Sequence, residues 1–111
     1  MTDAGDADAL DIDLMMTHSQ GAADFMKAMA HEGRLMILCH LLSGEKSVTE
    51  LERLLSSRQA AVSQQLARLR LEGLVAYRRE GKAIYYSLKG ERVARMIELL
   101  FDMFCRDRDD H

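Results

Sequence analysis

The sequence has no tryptophan, no proline and only two cysteines among its 111 residues. Aromatic residues make up 5% of the chain, whereas 48% of the residues are hydrophobic and eight are methionine. No apolar run reaches the roughly 20 residues that a membrane-spanning helix needs, so we expect no membrane partner. The composition instead favours one small domain of helices that pack through aliphatic and methionine side chains.

The N-terminal segment is acidic. Five aspartates and no basic residue lie within residues 1–13, and no apolar stretch follows a basic leader there. We therefore predict that residues 1–11 form a disordered acidic tail and that the protein is cytoplasmic. In that compartment the two cysteines are expected to be free thiols rather than a permanent disulfide.

The motifs of common enzyme classes are also missing. No phosphate-binding glycine loop, zinc-protease motif or Ser, His and Asp set is recognisable, and Cys39 and Cys105 stand 66 positions apart rather than in a Cys-x-x-Cys pair. Two thiols fall short of a four-ligand zinc site unless other side chains or a second chain join them. We predict no enzyme activity, no cofactor and no metal site.

The charge of the chain is unevenly distributed. The net charge is −3, but residues 1–13 contribute −5 and residues 106–111 contribute −1, which leaves +3 for the rest. From Arg58 to Lys82 six basic residues stand against two acidic ones. Positive charge is therefore concentrated in a segment that could meet a phosphate backbone.

Residues 12–73 have the pattern of four helices. Apolar residues recur with helical spacing from Ile12 to Ala30 and from His31 to Leu42. Ser47-Val-Thr-Glu50 is a capping box that opens a helix of about eight residues, and Ser56-Ser57 makes a turn with Ser57 as the next cap. Residues 47–73 are therefore predicted to be a helix-turn-helix.

The second helix of that motif has an apolar stripe and a polar outer face. Val62, Leu66 and Leu69 form the stripe, and Leu71 faces outward, where we expect it to pack beneath the following hairpin. The outer residues are Gln59, Ala60, Ser63, Gln64 and Arg68. Small and amide side chains let a helix approach base edges, and glutamine can pair bidentately with adenine.

A two-stranded hairpin, or wing, is predicted for residues 75–88, after Gly73 caps the helix. Alternation directs one set of side chains inward: Val75, Tyr77, Ile84, Tyr86 and Leu88. Glu80-Gly81 is the expected turn, and basic residues lie near the tip: Arg78, Arg79 and Lys82. This order predicts a mainly α domain over residues 12–106 with a small β-hairpin, a winged helix-turn-helix.

The last predicted helix, residues 91–106, has an apolar face wider than one side of a domain needs. Its apolar residues are Val93, Met96, Ile97, Leu100, Phe101, Met103 and Phe104. A small domain rarely leaves so broad a face in water. We therefore predict a homodimer through the first and last helices.

Four segments, in this order and spacing, closely resemble the ArsR/SmtB family of bacterial winged-helix repressors. They are KAMAHEGRLMIL, SVTELERLL, AAVSQQLARLRLEGLV and RREGKAIYYSL. The resemblance covers residues 25–88 and implies a homodimer that binds palindromic operator DNA and releases it when an inducer binds. It departs from the usual family pattern at Arg58, often Ser, and at Gln65, often His.

Residue roles follow from the resemblance. Gln59, Ala60, Ser63 and Gln64 would approach or read the DNA bases, and Arg79 with Lys82 would serve the wing. Arg58 and Arg68 would add attraction that does not depend on DNA sequence. We therefore expect double-stranded operator DNA as the partner of these residues.

The inducer is a separate question. The usual family metal sites are missing, since residues 49–55 hold no Cys and residues 91–104 hold no His. The placement of Cys39 and Cys105 resembles the family's reactive-sulfur-sensing branch, which represses sulfide-detoxification genes and in which such thiols become bridged by sulfur. Both thiols are expected to face the contact between their helices. A metal- or haem-responsive repressor and a protein-only interaction module remain alternatives.

Overall fold

The computed structural model describes residues 11–56 and 59–106. Five helices and three strands lie within these residues: α1 (Ile12–Met29), α2 (Glu32–Leu42), β1 (Lys46–Ser47), α3 (Val48–Leu55), α4 (Gln59–Leu71), β2 (Val75–Glu80), β3 (Ala83–Leu88) and α5 (Glu91–Phe104). The predicted mainly α winged helix-turn-helix is confirmed. The acidic tail lies outside the described residues except for Asp11, whose carboxylate caps α1 by accepting from the Leu14 amide at 3.0 Å.

Local side-chain chemistry sets the ends of α2 and α3. His31 caps α2, and its Nδ1 accepts from the Gly33 amide at 3.0 Å. The capping box is present as predicted, because the Glu50 amide donates to Ser47 Oγ at 3.1 Å and the Ser47 amide donates to Glu50 Oε1 at 3.0 Å. Ser56 ends α3 in the left-handed region at φ 52°. The predicted cap Ser57 lies outside the described residues.

The three strands form an antiparallel sheet in the order β1-β3-β2. β1 is only two residues long and pairs Lys46 with Tyr86 and Ser47 with Tyr85. At the wing tip Glu80 pairs with Ala83, so the turn residues are Gly81 and Lys82 rather than the predicted Glu80 and Gly81. Gly81 has φ +62°, which a two-residue hairpin turn requires and which glycine adopts without a steric penalty.

The core forms where α1 to α5 meet the base of the sheet. Its buried residues are Ala28, Met29, Ile37, Leu38, Leu41, Leu51, Val62, Leu66, Leu69, Leu74, Val75, Val93 and Ile97. The predicted stripe of α4 is therefore confirmed. Two expectations were wrong: Leu71 is 81% exposed rather than covered by the wing, and Tyr77 is 45% exposed rather than inward. Leu71 is the last residue of α4, and Tyr77 lies beside Arg70 of the same helix instead of in the core.

The outer faces of α1 and α5 carry exposed apolar side chains. On α1 they are Ile12, Leu14, Met15, Met16 and Met26, and on α5 they are Leu99, Phe101, Met103 and Phe104. In the part of the chain that the structure describes, every helix is too short or too polar to span a bilayer.

Candidate DNA-binding surface and thiol pair

The outer face of α4 is polar and open to solvent. Ser63, Gln64 and Arg68 are exposed, opposite the buried side chains of Val62 and Leu66. These three side chains share one surface because a helix returns to the same face every three to four residues. Arg58 lies outside the described residues, as do the side chains of Gln59 and Ala60 in the first turn of α4.

Arg68 is paired with a neighbouring residue on this face, and Gln65 turns away from it. Arg68 Nε lies 3.3 Å from Glu72 Oε2, an exposed pair one helical turn apart. Gln65 is half-buried rather than outward, and its Oε1 accepts from Arg34 Nη1 at 3.4 Å. Gln65 is therefore directed toward α2, whereas Gln64 beside it faces solvent.

The two adjacent arginines of the wing lie on opposite faces of the sheet. Successive residues of a strand alternate faces, so Arg79 shares the face of Val75 and Tyr77, whose ring is 4.8 Å from Arg70 of α4. Arg79 and Lys82 are exposed. The side of the wing that faces α4 thus offers Arg79, with Lys82 at its tip.

The guanidinium of Arg78 is bound by two carboxylates, unlike the exposed Arg79 and Lys82 near the wing tip. Its Nη2 donates to Glu45 Oε1 at 2.6 Å and its Nη1 donates to Glu80 Oε1 at 2.8 Å. Hydrogen bonds from Arg78 lower the pKa of the Glu45 carboxyl, and the two carboxylates raise the pKa of Arg78. The alternation of the strand is a sequence signal that could have separated Arg78 from Arg79.

The two thiols lie on α2 and at the end of α5. Cys39 is half-buried, whereas Cys105 is exposed, so the expectation that both face inward was wrong for Cys105. Cys105 follows the last residue of α5, and its amide donates to the Phe101 carbonyl at 2.8 Å. Exposure follows from this position, because no element packs over the end of α5 within the described residues.

The environment of Cys39 raises its pKa. Burial raises the pKa of Cys39 above its ordinary value of 9.0, and the negative charge of Cys105 raises that pKa further. A pocket of about 370 Å³ adjoins Cys39 and is lined by Leu42, Ile97, Glu98, Phe101 and Arg106 as well. The pocket places Cys39 of α2 beside Ile97 and Phe101 of α5, the helix that ends just before Cys105.

Side chains that could bind a metal ion do not form a cluster within the described residues. Among residues 11–56 and 59–106, no three His, Cys, Asp or Glu side chains are placed to hold one ion. His40, next to Cys39 in sequence, is half-buried, and its carbonyl accepts from Ser43 Oγ.

Comparisons with known proteins define the family. The family model for bacterial regulatory proteins of the arsR family matches residues 31–77. The biofilm growth-associated repressor of Agrobacterium fabrum is 47% identical over 88 residues, which cover 79% of this chain and 75% of that protein.

Solved structures agree with this assignment. Reduced HlyU from Vibrio cholerae is 47% identical with a TM-score of 0.78, over 82% of this chain and 96% of HlyU. The homodimeric winged helix-turn-helix DNA-binding domain Mb0332 from Mycobacterium bovis is 31% identical with a TM-score of 0.74, over 95% of each chain. The chain belongs to the arsR family of bacterial regulatory proteins and is a DNA-binding transcriptional regulator rather than an enzyme.

Proposed function

We propose that the protein is a homodimeric repressor that binds operator DNA and releases it when persulfide chemistry links Cys39 to Cys105, which would place sulfide-response genes under its control. The observation that carries the proposal is the pocket in which Cys39 of α2 lies beside Ile97 and Phe101 of α5, the helix whose C-cap is Cys105. The charge of Cys105, which raises the pKa of Cys39, supports it. Of two relatives that are each 47% identical, the biofilm growth-associated protein is described as a repressor and HlyU of Vibrio cholerae as a transcriptional activator, and we propose repression here.

The DNA-binding part rests on α4 and the wing. The exposed Ser63 and Gln64 can contact base edges in the major groove. We propose the same role for Gln59 and Ala60 from the sequence, since their side chains lie outside the described part of the structure. Arg58, Arg68, Arg79 and Lys82 supply positive charge for phosphates on either side. Base contacts would set the operator sequence, and the basic residues would set most of the salt-dependent affinity.

The dimer part rests on the apolar faces of α1 and α5. Met16 is 68% exposed, Phe101 is 51% exposed and Phe104 is 69% exposed, so a second copy that covered them would remove a large apolar area from water. The related domain Mb0332 is described as homodimeric. Two protomers joined at these helices would present two α4 helices to a palindrome.

The inducer chemistry uses both thiols. The exposed Cys105 thiolate attacks the outer sulfur of an organic persulfide, and the organic thiolate leaves, so that Cys105 becomes a persulfide. The Cys39 thiolate then attacks Sγ of the Cys105 persulfide. The bond between Sγ and the outer sulfur breaks, and hydrosulfide leaves as the Cys39–Cys105 disulfide forms. The two cysteines are oxidised by two electrons, and the sulfane sulfur is reduced to sulfide. Further persulfide molecules would insert additional sulfur atoms into the bridge.

A bridge between α2 and α5 can change DNA affinity because α5 belongs to the proposed dimer seam. A coupling of about 1 to 3 kcal/mol would lower operator affinity by about 5- to 150-fold. Glutathione persulfide treatment should therefore release operator DNA from the parent protein. Cys39→Ser and Cys105→Ser should bind the operator equally well before and after treatment. If either variant releases DNA as readily as the parent, the proposed switch is wrong.

Mass spectrometry of the treated parent identifies the inducer class. A loss of two hydrogens alone indicates a disulfide, and the same loss together with the added mass of one or more sulfur atoms indicates a polysulfide bridge. Added sulfur without the loss of two hydrogens indicates an unbridged persulfide. Equilibrium dialysis against zinc, copper and nickel, together with haem titration, tests the alternative inducers. Release by one of these ligands and not by persulfide would favour a metal- or haem-responsive repressor.

A further inference from the structure

A salt bridge crosses the outer face of the wing sheet. Arg78 lies on β2, Glu45 lies just before β1, and β3 is the strand between them. Arg78 Nε donates to both carboxylate oxygens of Glu45 at 3.1 and 3.0 Å, and its Nη2 donates to Oε1 at 2.6 Å. The guanidinium carbon lies 4.8 Å from the ring centroid of Tyr85 on β3. The Arg78 side chain therefore reaches from β2 across β3 to the residue just before β1.

Glu45 connects this bridge to the helix that carries Cys39. It lies three residues after Leu42, the last residue of α2. Ser43 Oγ donates to the His40 carbonyl at 3.1 Å, and Lys46 Nζ donates to Ser43 Oγ at 3.1 Å. Hydrogen bonds thus join the segment between α2 and β1 to the end of α2 through Ser43 and to β2 through Arg78.

The position of the wing depends on few other links to this segment. β1 pairs with β3 at only two positions, Lys46 with Tyr86 and Ser47 with Tyr85. An exposed ion pair contributes little to the free energy of unfolding. A bidentate arginine–carboxylate pair does fix the relative orientation of the two groups, because two parallel hydrogen bonds define a plane. The bridge is therefore suited to fixing the orientation of the wing more than to raising the free energy of unfolding.

We propose that the Glu45–Arg78 bridge positions the wing relative to α2 and carries the state of Cys39 to the DNA-binding surface. This inference rests on the proposed function, since the signal is the link between α2 and α5. Arg78 is a positioning residue, and Arg79 and Lys82 are the wing residues available to phosphate. A displacement of α2 by the bridged thiols would move Glu45, and Arg78 would move with it.

The coupling is tested with full-length Glu45→Gln, which keeps the size of the side chain and removes its charge. Glu32→Gln removes one charge from an exposed position of α2 that lacks the bridge to Arg78. The measured quantity is the ratio of operator affinities before and after glutathione persulfide, with bridge formation verified by mass spectrometry. We expect this ratio to fall by about 2- to 30-fold in Glu45→Gln and to stay at the parent value in Glu32→Gln.

The outcomes separate the two proposals. If the parent is released and Glu45→Gln keeps the parent ratio, the bridge does not couple the sites and this inference is overturned, while the thiol switch stands. If the bridged parent stays on DNA, the thiol switch itself fails, and the coupling fails with it.

The positioning role has a second test that does not depend on the thiols. Loss of a phosphate contact lowers the slope of log affinity against log salt by about 1. Arg78→Gln should weaken operator binding and leave that slope unchanged, whereas Arg79→Gln should lower it. The charge-swapped pair Glu45→Arg with Arg78→Glu should recover affinity lost in Arg78→Glu. A lower slope in Arg78→Gln, or no recovery in the swapped pair, would show that Arg78 contacts phosphate directly.

Discussion

Arg34 donates from Nε to the carbonyl oxygen of Ala28 at 2.7 Å, and so joins the start of α2 to the end of α1. Its Nη1 and Nη2 lie 3.4 Å from Gln65 Oε1 and the Lys27 carbonyl. The last carbonyls of a helix have no partner within the helix, so a cation is favourable at that place. Through Gln65 the same side chain connects the proposed seam helix to α4.

Replacement of Arg34 by Met should lower the free energy of unfolding by about 1 to 3 kcal/mol, because a charged donor to partly buried acceptors is lost. Urea unfolding at a fixed protein concentration measures the change. Arg53→Met, at an exposed position of α3, should cost about 0.5 kcal/mol or less. Equal losses in the two variants would contradict a specific role for Arg34.

The His31 cap can be tested with one variant that removes the side-chain acceptor and one that keeps an acceptor on a smaller side chain. His31→Ala leaves the first amides of α2 without a side-chain acceptor and should cost about 1 kcal/mol. His31→Asn restores an acceptor and should lie within a few tenths of a kcal/mol of the parent. If Asn is as costly as Ala in urea unfolding, the imidazole contributes through packing instead of capping.

The two leucines Leu66 and Leu71 of α4 should respond very differently to truncation. Leu66 is 0% exposed, so Leu66→Ala removes buried methyl groups and should cost about 2 to 5 kcal/mol. Leu71 is 81% exposed, and Leu71→Ala should change stability by about 0.5 kcal/mol or less. A large loss for Leu71→Ala would mean that a partner surface covers this position.

The raised pKa of Cys39 predicts its reactivity. Only the thiolate is alkylated, so the midpoint of the rate of iodoacetamide labelling against pH should lie above 9.0. In Cys105→Ser the midpoint should move down but stay above that of an ordinary cysteine, because burial is a larger cause of the raised pKa than the charge of Cys105. Peptide mass spectrometry distinguishes the two labelled cysteines. A midpoint for Cys39 that is unaffected by Cys105→Ser would contradict their proximity.

Local patterns in the sequence were sufficient for much of the fold. The Ser47–Glu50 capping box, the stripe of Val62, Leu66 and Leu69, and the hairpin all follow from residues a few positions apart. Their geometry is set by helical and strand periodicity, which a sequence displays directly. The turn at Gly81 and Lys82 was displaced by one residue because the register is fixed by the pairing across the strands.

The exposure of individual side chains and the contacts between residues distant in the chain were harder to predict from the sequence. The sequence could not show that Leu71 lies clear of the wing or that Cys105 faces solvent, because burial depends on which elements pack above a position. Arg78 seemed equivalent to Arg79 in a basic run. Strand alternation separates their faces, but the pairing of Arg78 with Glu45, 33 residues away in sequence, became visible only in the structure.

The sequence by itself determined the helix-turn-helix, the wing, the acidic and basic segments and the family, because each is encoded by local spacing or by a run of matching residues. The tertiary structure decided that Cys39 lies beside α5, the helix that ends just before Cys105, and that Arg78 holds Glu45 instead of extending freely toward DNA. These relationships join residues far apart in the chain, and they exist only once packing against a common core has fixed where each helix and strand lies.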